Sequence, residues 1–117
     1  MGLNSKELEK SGKTFLMNLK KKLYVLVRKD LSVSQQAVQA GHAVAEYLLG
    51  GFNESQWDNG TLVYLGVKNR GQLERWMSRL RDRDVKFAVF CEPDIGNEPT
   101  AIATTEGKEL FKKLNLV

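Results

Sequence analysis

Residues 23–49, LYVLVRKDLSVSQQAVQAGHAVAEYLL, decide how this chain folds. Leu23 to Arg28 is a continuous apolar run closed by the charged triplet Arg28-Lys29-Asp30. A short run with no polar alternation suits a central strand covered on both faces. Ser32 then opens a helix. The Ser32-Val33-Ser34-Gln35 spacing is that of a capping box, in which the hydroxyl and the glutamine amide satisfy free donors of the first turn. The helix is expected to run to about Leu49 and to stop at Gly50-Gly51.

Beyond this unit the pattern continues to alternate. Thr61 to Val67 (TLVYLGV) predicts a second strand. Asn69 or Gly71 opens a second helix, with Leu73, Trp76, Met77 and Leu80 forming a one-sided apolar stripe at helical spacing. Val85 to Cys91 predicts a third strand and Thr100 to Thr104 a fourth, followed by a terminal helix over Glu106 to Leu114 capped by Thr105. The order strand, helix, strand, helix, strand implies a mostly parallel sheet with right-handed crossovers. Only eight residues separate the third and fourth strands, too few for a helical crossover, so these two pair antiparallel if they are neighbours. The expected fold is α/β: a small three-layer sandwich whose four-stranded mixed sheet has three parallel strands plus one antiparallel, flanked by helices.

A chain of 117 residues with 42% hydrophobic content is one domain, able to bury roughly two-thirds of its unfolded surface. No apolar run approaches the ~20 residues needed to span a bilayer. The amino end is charged, but no uninterrupted apolar segment follows it as a secretory signal requires. Lys6 stands where a myristoylation pattern needs Ser or Thr. The single cysteine, Cys91, lies in the apolar run FAVFC and reads as a buried strand thiol rather than a catalytic one. A cytoplasmic protein with no membrane association is the expectation.

The net charge of +4 is unevenly spread. Residues 1–22 hold six lysines against Glu7 and Glu9, whereas residues 23–117 carry equal numbers of basic and acidic side chains. The chain therefore divides into a lysine-rich leader (1–22), a short helix or a frayed arm, and one folded domain (23–117). Such an arm either binds phosphates or only aids solubility.

Ligands of open α/β sheets bind beyond the carboxyl ends of the parallel strands. That edge carries Arg28-Lys29-Asp30, Lys68-Asn69-Arg70 and Glu92-Pro93-Asp94, and the first helix starts there with its amides free to meet an anion. On the first helix Gln35, Gln39, His42 and Glu46 lie within about 60° of one another. The other positions, Ala37, Val38, Gly41, Val44, Ala45 and Leu48, are small enough to pack closely on a sheet. The polar stripe is either a solvated face or one wall of a site. Its first turns fall on the site side, and His42 is the chain's sole imidazole, the side-chain type most used to move protons.

The loop Glu92-Pro93-Asp94-Ile95-Gly96-Asn97-Glu98 is equally two-sided. It reads as a polar turn punctuated by proline, or as oxygen ligands for a divalent ion, although its spacing fits no EF-hand. No Cys/His cluster suits zinc, and neither a G-x-G-x-x-G, a Walker loop nor a G-x-S-x-G elbow is present. Residues 68–86 hold seven basic against three acidic side chains. Arg75 and Arg79 share one face of the second helix, opposite Trp76 and Leu80. They form either a phosphate track or a solvated face laced with ion pairs.

VLVRKDLSVSQQAVQAGHAVAEYLL resembles the opening of the type 2 peptidyl-tRNA hydrolases. In that family a V-x-R-x-D-L stretch ends the first strand and a helix carrying A-A-Q-x-A-H-A follows. Arg28, Asp30 and Leu31, then Ala37-Val38-Gln39-Ala40-Gly41-His42-Ala43, match those positions, and a weaker likeness extends to Thr104. The resemblance implies an α/β fold and hydrolysis of the ester joining a peptide to the 3′ end of tRNA, with no metal or other cofactor required. Two departures stand out. Gln35 occupies the place of a family lysine, and the segment after the third strand lacks the family's arginine. Glu92 is the counterpart of the family aspartate and Thr100 of its threonine.

The chemistry needs a water aimed at a carbonyl, a proton acceptor and donors for the developing oxyanion. Glu92 would orient the water, His42 would accept or relay the proton, and Thr100, Gln35 or the helix-start amides would hold the oxyanion. Asp30, Gln39, Asp94, Asn97, Arg75 and Arg79 are the candidate substrate-binding residues. A non-catalytic module of the same fold, binding RNA, a nucleotide or a protein, is the alternative. The small residues of the first helix and an exposed Trp57 would suit a homodimer.

Overall fold

The computed structural model describes residues 21–52 and 57–117, so most of the lysine-rich leader lies outside the described residues. Among the described residues four strands and two helices follow one another as β1 (Lys22–Arg28), α1 (Val33–Leu49), β2 (Thr61–Val67), α2 (Arg70–Asp82), β3 (Ala88–Glu92) and β4 (Glu98–Thr104). One turn of 3-10 helix, Pro93–Ile95, joins β3 to β4.

The strand order is β2-β1-β4-β3. β1 lies parallel to β2, while β4 runs antiparallel to both β1 and β3. The expected set of three parallel strands is therefore replaced by a single parallel pair. The cause is the placement of β4: β3 points the same way as β1 and β2, but β4 enters between β3 and β1 and pairs antiparallel with each, so only β1 and β2 are parallel neighbours. Residues 100–104 of β4 are all buried and take a central place between β3 and β1. β1 is the other central strand, and its burial from Leu23 to Arg28 agrees with the continuous apolar run of its sequence.

Each face of the sheet has its own core. Leu23, Val25, Val27, Ala101 and Ala103 pack with Ala40, Ala43 and Tyr47 of α1. Leu26, Val67 and Ile102 pack with Leu73, Trp76, Met77 and Leu80 of α2 on the opposite face. The α2 stripe is the one read from its spacing. α1 is rolled differently from its sequence reading, because Gln36, Gln39, Ala40, Ala43 and Tyr47 are the buried positions. Ala37, Val38, Gly41, Ala45 and Leu48 are exposed. Alanine and glycine contribute little buried area, so the large ring of Tyr47 and two hydrogen-bonded glutamines set the roll of the helix.

Three further expectations are corrected. Trp57 is buried in the α1-side core, with Nε1 donating to Thr61 O at 2.9 Å, and is not an exposed contact for a second copy. Cys91 is exposed, because β3 is an edge strand and its pairing with β4 shifts register at this residue. The terminal segment is a string of turns rather than a helix. Phe111 N donates to Gly107 O and Lys108 O, and Gly107 has a left-handed φ of 92°, which ends rather than starts regular helix. The Thr104 hydroxyl, not Thr105, accepts from Glu106 N at 3.1 Å. The chain then runs along the outer edge of β2, where Gly66 N donates to Asn115 O and Val117 N to Tyr64 O. Among the described residues no helix is long and apolar enough to cross a membrane.

Candidate functional site

A depression of about 160 Å³ opens where α1 begins and the β3–β4 hairpin turns, lined by Leu31, Gln35, Gln39, Glu92, Asp94, Ile95 and Thr100. Each wall has a local cause. Ser32 caps α1 by accepting from Gln35 N at 3.2 Å, which fixes where the first turn points. The capping box is only half made, for the Gln35 side chain turns along the helix and accepts from Gln39 Nε2 at 3.4 Å. Gln36 secures the preceding loop by donating Nε2 to Leu31 O at 2.8 Å.

The opposite wall depends on a β-bulge. Phe90 pairs with Ala101 but Cys91 pairs with Pro99, so Thr100 is the extra residue of β4. A bulged residue changes the face to which its side chain points, and Pro99, lacking an N–H, fits beside it without a lost ladder bond. Ile102 and Thr100 would otherwise share the α2 face; instead Thr100 reaches α1. Its hydroxyl donates to Gln39 Oε1 at 2.6 Å, both side chains being buried, and lies 3.3 Å from Phe90 O. A hydroxyl has one proton. With that proton directed to Gln39, Thr100 orients Gln39, whose Nε2 in turn donates to Gln35 Oε1.

A second polar group closes the edge of the sheet. Arg28, 7% exposed, grips Asp30 through Nε and Nη2 at 3.0 and 2.7 Å. Its Nη1 donates to Pro99 O at 3.3 Å and lies 3.5 Å from Glu98 Oε2. Arg70 Nη1 reaches the other oxygen of Glu98 at 2.8 Å, and its Nε holds Glu74 at 2.6 Å. The hydrogen bonds from Arg28 hold the Asp30 carboxyl below its ordinary range, against the opposing pull of burial. Asp30 in turn raises the Arg28 guanidinium above its usual value. Asp30 is thus Arg28's structural partner. The Arg28 and Glu98 roles at this edge were not foreseen, although the R-x-D spacing and the neighbouring Glu98 carried the signal.

Of the residues picked from sequence, Gln35, Gln39, Glu92, Asp94 and Thr100 share the depression. His42 does not line it. The imidazole sits one helical turn beyond Gln39, exposed, with its ring stacked on Phe90 at a centroid distance of 4.2 Å and an interplanar angle of 9°. Asn97 is an exposed turn residue with φ 59°, whose N–H donates to Glu92 O at 2.9 Å. Arg75 and Arg79 lie exposed on α2, which covers the opposite face from α1, and the Arg79 guanidinium stands 4.3 Å over the Trp76 ring instead of facing away from it. Among the described residues no cluster of three or more His, Cys, Asp or Glu could hold a metal ion. Sequence reading also missed Leu31 and Ile95, two apolar neighbours whose place in the lining depends on the hairpin.

No family model matches the chain, and no curated protein matches it. Among solved structures it is similar to a protein of unknown function from Agrobacterium tumefaciens strain C58, with a TM-score of 0.62 at 14% identity, covering 83% of this chain and 97% of that one. The similarity is one of fold: a small α/β domain with a four-stranded mixed sheet and two helices.

Proposed function

We propose that the chain hydrolyses the ester between a peptide and the 3′ end of tRNA, as the family it resembles in sequence does. One observation carries the reading: Glu92, Gln35, Gln39 and Thr100, separated by up to 65 positions in sequence, line one small depression beyond the carboxyl end of β3. A volume of about 160 Å³ accommodates an ester group and a water, whose share of liquid volume is about 30 Å³. Glu92 orients the water and takes its proton as the oxygen attacks the acyl carbon. The Gln35 amide, held by Gln39 and Thr100, donates to the oxyanion. Collapse breaks the bond to the ribose 3′ oxygen, which recovers the proton from Glu92, so that water ends as the hydroxyl of the peptide acid and the hydrogen of the ribose.

A second reading has its own support. Among the described residues the depression is lined by two carboxylates, Glu92 and Asp94, and by no cation, and Gln35 fills the place of a family lysine. A site without a positive charge stabilises an oxyanion less, which favours a module of the same fold that binds without cleaving. Incubation with an N-blocked aminoacyl-tRNA in the presence of a chelator separates the two. Release of the blocked amino acid at catalytic ratios supports the hydrolase; binding without release supports the module.

A further inference from the structure

We infer that the His42 ring is a stacking platform for a nucleobase, namely the adenine that ends a tRNA. The choice of adenine rests on the tRNA reading above, whereas the platform rests on geometry. His42 lies near the middle of α1, on the side facing β3, and its ring is nearly coplanar in orientation with Phe90, 9° apart with centroids at 4.2 Å. Phe90 is half-buried against the α1-side core, so the lower half of the stack is anchored. His42 is nevertheless exposed. One ring face lies on Phe90, and the residue as a whole is open to solvent. A flat ring held from below and exposed is what sequence-tolerant recognition of unpaired bases uses, because every base offers a π face.

The spacing places this platform beside the depression. Phe90 and Glu92 are two apart on β3, a separation of roughly 6.8 Å along one side of a strand. Gln39 and His42 are three apart on α1, an axial rise of about 4.5 Å. Both offsets run in register from the polar depression to the stacked pair. They match the short distance between the ribose 3′ oxygen of a nucleoside, where the ester hangs, and its base. His42 therefore binds substrate rather than moving protons. A histidine that merely shields Phe90 from water would contribute to stability and leave RNA affinity untouched.

The test is titration of the full chain with the trinucleotide CCA, reading the imidazole Hδ2 and Hε1 resonances and the Kd of wild type, His42→Ala and His42→Phe. Stacking predicts an upfield shift of both resonances on saturation, an affinity loss of about tenfold in His42→Ala, and its recovery in His42→Phe. With N-blocked aminoacyl-tRNA as substrate, the loss in His42→Ala falls on KM. Imidazole resonances that stay in place at saturating CCA, or equal affinity of wild type and His42→Ala, overturn the platform. Should His42→Ala fail to fold, the wild-type resonances and His42→Phe still decide the matter. Cleavage of the ester with KM indifferent to His42 overturns the platform alone. CCA bound at His42 by a protein that releases no blocked amino acid from N-blocked aminoacyl-tRNA overturns the hydrolase and leaves the platform standing.

Discussion

Thr100 and Gln39, 61 residues apart in sequence, are joined by a buried hydrogen bond of 2.6 Å from hydroxyl to amide oxygen. The contact ties the bulge of β4 to the second turn of α1 and so fixes both walls of the depression at once. Removing the hydroxyl while keeping the shape leaves the Gln39 oxygen buried and unsatisfied. Thr100→Val is predicted to lower unfolding stability in urea by about 1–3 kcal/mol. Thr100→Ser, which keeps the donor, is predicted to lose less.

The Arg28–Asp30 pair gives a pH signature. Asp30 has a folded-state pKa below its unfolded one. Its contribution is complete above the unfolded value of about 3.9, and is lost as pH falls through the lower folded value. Asp30→Asn should therefore be less stable than wild type at pH 7, with the gap closing below about pH 4. The Asp30 side chain is 38% exposed, so screening by solvent holds the difference to about 1 kcal/mol. Urea midpoints measured across pH 2–7 read it directly.

Gly96 and Asn97 both hold left-handed backbone in the β3–β4 turn, with φ of 71° and 59°. A backbone role for Asn97 predicts that Asn97→Gly keeps the stability of wild type, while Asn97→Ala costs about 1 kcal/mol. Were Asn97 instead a substrate ligand, Asn97→Gly would fold normally and bind RNA more weakly.

Arg75 and Arg79 are one turn apart on the exposed side of α2. If both meet phosphates, each alanine substitution should flatten the slope of log affinity against log salt by about one. Arg79→Ala should also lose about 0.5–1 kcal/mol of stability, since its guanidinium lies over Trp76. Slopes identical to wild type would make these arginines a solvated face only.

The parts of the fold legible in sequence were those with a strong period or a uniform run. LYVLVR gave a buried central strand, and Leu73, Trp76, Met77 and Leu80 gave the packing face of α2. α1 was placed correctly along the chain but rolled incorrectly. Its alanines, valines and glycine carry weak directional signal, and the burial of Gln36 and Gln39 depends on partners in other elements. Strand order was equally hidden, because the β3–β4 spacing shows a hairpin without showing which edge of β1 receives it. Within the depression, Gln35, Gln39, Glu92, Asp94 and Thr100 are legible from local pattern and resemblance. Their contacts are not, because a one-residue bulge decides where Thr100 points and His42 meets Phe90 only through the packing of α1 on β3.

The most direct measurement is the single-turnover rate of ester cleavage in N-blocked aminoacyl-tRNA, with chelator present, for wild type and Glu92→Gln. With Glu92 as the group that takes the proton from water, wild type cleaves and Glu92→Gln is slower by about 10²- to 10⁴-fold. Equal rates in the two proteins, or no cleavage by wild type at saturating enzyme, would contradict it.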